Sequence, residues 1–222
     1  MEYRPPKHEG LHILYQDEFM LILDKPTGLL SVPGRGEEKQ DCLASRVQAE
    51  FPEALSVHRL DMSTSGLIVM ARGAEVHRQL SRLFENRQVH KRYVAVVAGW
   101  LAQTEGSVAL PLITDWPNRP RQKVDFEMGK PSLTHYRLLS HEAHEADGRK
   151  QSRVELEPVT GRSHQLRVHM CELGHPILGD ELYGGELSAV EKTGRLLLHA
   201  CWLELSHPIS GELVTVRSPA PF

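Results

Sequence analysis

The densest group of reactive side chains lies in residues 57–66, VHRLDMSTSG, where His58, Arg59 and Asp61 precede a run of small turn formers. An aspartate in that setting has two uses. Its carboxylate can cap a turn by accepting backbone N–H groups a few residues on. Alternatively, the loop holds it out as a reactive carboxylate. A second group is VTGRSHQLRVHM, where Thr160-Gly161 turns into a helix whose first turn would hold Arg162, Ser163 and His164. A helix start presents N–H groups that lack partners, and an arginine beside them makes a seat for an anion. The plainer reading is an arginine on a wet helix end. Tyr93 opens a strand in KRYVAVVAG, as a packed aromatic or as one that faces a ligand. Residues 119–130, RPRQKVDFEMGK, form a basic loop just after Trp116. Arg119, Arg121 and Lys123 there suit a phosphate backbone and Trp116 suits stacked bases; a solvated loop is the alternative.

Thirteen histidines raise the question of a metal. HEAHE, residues 141–145, lacks the histidine spacing of a zinc-protease helix. His164 and His169 fall on different helix faces, and Cys171 with His175 makes at most a pair. No set reaches a familiar ligand shell, so no metal is expected. The G-x-S-x-G elbow, the dinucleotide glycine fingerprint and the phosphate loop are all absent.

Positioning these residues takes a scaffold. FMLILDKP reads as a buried strand ended by Pro26, and GLIVMA, after the Asp61 loop, as a central one. DCLASRVQAEFPEA reads as a helix with Asp41 as N-cap and a break at Pro52. In AEVHRQLSRLFENRQ, Val76, Leu80, Leu83 and Phe84 recur on one face while Arg78 and Arg82 share the other, which predicts a helix. KRYVAVVAG and SRVELEP read as strands, the second half-exposed. SHQLRVHMCELG predicts a short helix with Leu166, Met170 and Leu173 inward and Gly174 as its stop. RLLLHACWLEL and LVTVRSP are strands joined by HPISGE. Strands outnumber helices and the connections are short, so the fold is α+β on a mixed, largely antiparallel central sheet. Residues 1–10 read as a loose tail and residues 11–222 as one domain.

The chain has 222 residues, 40% hydrophobic and 25% charged. No apolar run approaches the roughly 20 residues of a membrane span, and no signal peptide is evident at the N-terminus. Cys42, Cys171 and Cys201 are odd in number and far apart, which predicts reduced thiols in a cytosolic, cytoplasmic protein. The net charge of −3 is unevenly spread: residues 72–92 carry six bases against two acids, and residues 141–157 five acids against three bases. Such a chain can bind a polyanion on one face and repel it on others. No coiled coil or long exposed apolar stripe suggests assembly, so a monomer is expected.

HRLDMSTSG, KRYVAVVAG, GRSHQLRVHM, LGHPILGDELYG and LLLHA, in that order and preceded by LILDKPTGLLSVPG, resemble the RluA family of pseudouridine synthases. The likeness runs from about Leu11 to the C-terminus. It implies the pseudouridine synthase fold, with helices and loops flanking the sheet around a catalytic cleft. It also implies a cofactor-independent isomerase that detaches uracil from C1′ of its ribose, rotates it and rejoins it through C5. The family's S4-type RNA-binding domain is expected to be missing. Within the family the chain is most similar to compact dual-specificity members, which act on a tRNA anticodon stem-loop and a 23S rRNA hairpin; DWPNRPRQKV supports that.

Carried over by position, the resemblance makes Asp61 the catalytic carboxylate. Desolvation disfavours a charged carboxylate in a pocket, and an arginine partner offsets this; the resemblance gives that role to Arg162. Tyr93 would stack on uracil and serve removal of the C5 proton, and Leu198 would pack its other side. Arg59 would fill the place of the flipped nucleotide, since flipping costs a few kcal/mol. His58 would support the loop. A catalytically silent RNA-binding or ribosome-assembly factor is the alternative.

Overall fold

The computed structural model describes residues 3–143, 148–185 and 193–222. In chain order its elements are β1 (Ile13–Gln16), β2 (Met20–Lys25), α1 (Leu43–Glu50), β3 (Ala54–Ser56), β4 (Ser65–Arg72) and α2 (Ala74–Glu85). Then come β5 (His90–Ala98), β6 (Glu105–Val108), β7 (Leu112–Thr114), β8 (Gln122–Val124), β9 (Thr134–Ala143) and β10 (Lys150–Pro158). The last are α3 (Gln165–Glu172), β11 (Leu198–Ser206) and β12 (Leu213–Arg217). The chain divides into two compact units, residues 1–91 with 199–221, and residues 92–198 with 222. Among the described residues no helix is long and apolar enough to cross a membrane.

In the first unit the strands run in the order β1-β2-β4-β11. β1–β2 and β2–β4 are antiparallel, and β12 lies antiparallel on β11. β11 is parallel to β4, with His199 opposite Ser65 and Ala200 opposite Gly66. Met20 to Leu23 and Leu67 to Ala71 are all buried, which is why both segments are unbroken apolar runs rather than alternating ones. Gly66 has φ +111, and a Cβ there would lie 2.4 Å from the Ala200 carbonyl oxygen; only glycine lets the two strands meet. α1 differs from expectation at its start. Cys42, not Asp41, is the N-cap: its sulfur accepts the Ser45 N–H while Ser45 Oγ accepts the Cys42 N–H. Asp41 is drawn away by Arg46 at 2.7 Å. Residues 3–10, expected as a loose tail, form no regular element but are tied down. Tyr3 donates to the Asp41 carbonyl, and Arg46 donates to that of Pro6.

The second unit carries an antiparallel sheet in the order β5-β10-β9-β6 and a separate β7–β8 hairpin. The basic stretch expected as a loop is thus partly strand, with Gln122 opposite Thr114. Val154 and Leu156 point inward from β10, and Arg153, Glu155 and Glu157 beside them are half-buried, the alternation expected of it. α3 begins at Gln165, so Arg162, Ser163 and His164 precede the helix instead of forming its first turn. Leu166 and Met170 are buried, but Leu173 is 38% exposed, because the helix has ended before it. Gly174 follows at φ +84 as the stop. His144 and Glu145 of HEAHE lie outside the described residues. The α+β, largely antiparallel architecture is as expected.

Candidate active site

In the first unit, Arg59 and Asp61 share the loop between β3 and β4, with Arg59 exposed and Asp61 half-buried. The loop is held by residues 25–31, a segment to which the sequence reading gave no task. Lys25, the last residue of β2, is fully buried, and its ammonium donates to the carbonyls of Pro26, Leu29 and Met62 at 2.9, 2.7 and 3.1 Å. An ammonium has a proton for each of three acceptors. Ser31 Oγ donates to the Leu60 carbonyl at 2.7 Å and accepts the Leu60 N–H at 3.1 Å. Thr27 Oγ1 donates to the Ser63 carbonyl at 2.7 Å, and the Gly28 N–H to that of Met62 at 2.8 Å. The backbone is therefore gripped on both sides of Asp61, whose own carbonyl accepts the Thr64 N–H and closes the turn. The available signal was a lysine ending an apolar run in LDKPTG.

His58 supports the same loop. Its Nε2 accepts the Val69 N–H at 2.9 Å and its ring stacks on Phe84 at 4.5 Å. Burial, aided by the charge of Lys91, holds its pKa down to about 3. The ring stays neutral, as an acceptor must. At the start of β4, Ser65 Oγ meets His199 Nδ1 at 2.8 Å, and His199 Nε2 meets Ser218 Oγ at 3.1 Å.

In the second unit, Tyr93 is 9% exposed on β5 opposite Leu156 of β10, and Leu198 is buried at the head of β11. Arg162 opens a turn that Gln165 secures. The Gln165 N–H donates to the Arg162 carbonyl at 3.1 Å, and the Arg162 N–H donates to Gln165 Oε1 at 3.0 Å. Gln165 is itself buried, its amide nitrogen donating to the Leu133 carbonyl and Thr134 Oγ1 at 3.0 Å each. Arg162 Nε donates to the Pro131 carbonyl at 3.3 Å. Arg167, the other arginine of that stretch, is 5% exposed and binds Asp180 in bidentate fashion at 2.7 and 2.8 Å. It shores up the fold and offers nothing to an anion from solvent.

On the hairpin, Trp116 is 68% exposed with the Arg119 guanidinium 4.7 Å from its ring centre. Lys123 lies 3.5 Å from Asp125. Arg121 donates to the Leu182 carbonyl and sits beside the Tyr183 ring, so part of its charge is turned inward. The histidines weighed as metal ligands have other contacts. His169 meets Ser132 and Thr134, and His175 the Ala98 carbonyl. Among the described residues no three His, Cys, Asp or Glu side chains gather as metal ligands.

A sequence profile of RNA pseudouridylate synthases matches residues 19–172. The chain belongs to that family. The dual-specificity RNA pseudouridine synthase RluA of Escherichia coli K12 is 51% identical over 99% of this chain and 98% of that protein. Its counterpart from Vibrio parahaemolyticus is 50% identical over 100% of this chain and 88% of the relative. Among solved structures, human RNA pseudouridylate synthase domain containing 1 superimposes with a TM-score of 0.82 at 32% identity. That match covers 99% of this chain and 87% of the human one. The synthase is thus an isomerase that converts uridine in RNA to pseudouridine, on the fold the sequence predicts.

Proposed function

We propose that this synthase works through Asp61, and that it modifies both a tRNA anticodon stem-loop and a large-subunit ribosomal RNA hairpin. The supporting observation is the grip on the loop: Leu60, Met62 and Ser63 are each fixed by the 25–31 segment while Asp61 stays half-exposed between them. A carboxylate set on a rigid mount can meet a reacting atom without reorganising. Isomerisation breaks the bond from N1 to C1′ and forms one from C5 to C1′; C5 gives up its proton and N1 gains one. Asp61 stabilises or bonds the separated fragment, and Arg162 supplies a cationic group for the same reaction. Tyr93 and Leu198 pack the uracil, with Tyr93 serving the C5 proton. Exposed Arg59 takes the place the everted nucleotide leaves, stacking on its neighbours. Arg119, Arg121 and Lys123 hold phosphates. Residues 11–222 act as one catalytic domain. Dual specificity is supported by the relatives of that description, which match over nearly the whole chain. We also place it in the cytosol, as a monomer.

The test is release of tritium from RNA labelled at uridine C5. Wild-type protein should release it from both stem-loops, and Asp61→Asn should bind RNA within several-fold of wild type yet release none. Turnover by Asp61→Asn would overturn the assignment. Activity on one RNA alone would remove the dual specificity.

A further inference from the structure

Tyr183 is the penultimate residue of LGDELYG, a motif to which neither the residue chemistry nor the family resemblance gave a task. Its hydroxyl lies 2.7 Å from the Gln122 backbone nitrogen and 2.7 Å from His164 Nδ1. A backbone N–H only donates, so the phenolic oxygen accepts there, and the same hydroxyl is hydrogen-bonded to the His164 imidazole. The ring is flanked by the Arg167 guanidinium at 5.2 Å and that of Arg121 at 5.9 Å. Asp180, the buried partner of Arg167, also accepts the N–H groups of Leu182 and Tyr183 at 2.9 and 3.1 Å. The turn that carries Tyr183 is thus built around a buried ion pair and does not shift freely.

The hydroxyl joins two segments with different jobs. Gln122 begins β8, on the hairpin of Arg119 and Lys123, and Arg121 beside it is tied to the Leu182 carbonyl. His164 stands two residues after Arg162, within the turn closed by Gln165. It holds φ +54, a left-handed conformation that non-glycine residues keep only where their surroundings impose it. The bond from Tyr183 is such an imposition.

We propose that the Tyr183 hydroxyl is a positioning group that couples the basic hairpin to the Arg162 turn, so that RNA held on the hairpin sets Arg162 for the reaction. This rests on Arg162 serving that reaction. Tyr183→Phe removes one oxygen and keeps the ring between the two guanidiniums. On the anticodon stem-loop it should lower kcat by about tenfold or more, with a melting temperature near that of wild type. His164→Gly accepts the backbone conformation without strain but lacks the imidazole partner. It should reproduce the kcat loss, and the double variant should lose little more.

The hairpin pair Arg119→Ala/Lys123→Ala should lower kcat and raise KM in the wild-type background, but raise only KM in Tyr183→Phe, as coupled groups do. Wild-type kcat in Tyr183→Phe, or losses that simply multiply, would overturn the coupling. Arg162→Met separates the two claims: if it is as active as wild type, the role of Arg162 falls and the coupling with it. If it is inactive while Tyr183→Phe turns over normally, only the coupling falls.

Discussion

Lys25 shows how one residue can govern another without touching substrate. Three carbonyls, from both the 26–29 segment and Met62, accept from one buried ammonium. Lys25→Met fills similar space but takes the ammonium from the Pro26 and Leu29 oxygens and leaves Met62 held only by the Gly28 N–H, at a typical cost of about 1–3 kcal/mol for an unsatisfied buried group. The activity loss should be larger than the stability loss. A displacement of about 1 Å in a reacting group can cost on the order of a hundredfold. We expect Lys25→Met to remain folded in urea titrations, to bind RNA, and to release tritium about a hundredfold more slowly. A variant as fast as wild type would show that the Lys25 ammonium is not needed to hold the loop. Asp61, Arg59 and Tyr93 stood out in the sequence by type and setting, whereas Lys25, Thr27 and Ser31 did not. Their hydroxyls and ammonium select carbonyls about thirty residues away, and a carbonyl leaves no mark in a sequence.

Among the elements, strands were the most legible, because burial on one or both faces leaves an alternating or continuous apolar pattern. Ends were less so. Asp41 suited the N-cap of α1 until Arg46 claimed it, and α3 begins later than its polar start suggests because the buried Gln165 side chain reaches back to Arg162. The hairpin was read as a basic loop, since three-residue strands carry too short a period to detect. Its two outward cations define a prediction at this scale. Arg119→Ala/Lys123→Ala should weaken binding to both stem-loops alike and flatten the dependence of log K on log salt by about two phosphate contacts. An unchanged slope in filter-binding titrations would exclude the hairpin from the phosphate contacts.

At the scale of the whole molecule, buried histidines link stability to pH. Burial, aided by Lys91, holds His58 down to about 3, and burial also lowers His169. In the unfolded chain both return to the ordinary histidine value of about 6.5. Below that pH the unfolded chain binds protons that the folded one refuses, so stability falls as pH drops from about 6.5 toward 3. Carboxylates stay ionised through the upper part of that window, which leaves the histidines to set the slope. The urea midpoint should be lower at pH 5.5 than at 7.5. His58→Gln, which can still accept the Val69 N–H, should show a shallower fall. An identical pH slope would mean that His58 is protonated in the folded state.

The sequence by itself determined the reaction class, through the likeness of five ordered motifs to a known family, and the α+β architecture, through apolar periodicity and turn residues. It also marked Asp61 as a loop aspartate among turn formers. Tertiary structure alone decided which groups hold that loop, that Arg167 is spent on Asp180, and that Tyr183 ties the hairpin to the turn of Arg162. The physical reason is that periodicity records whether a side chain leaves water. A hydrogen-bond partner is chosen only when folding brings distant segments within about 3 Å of each other.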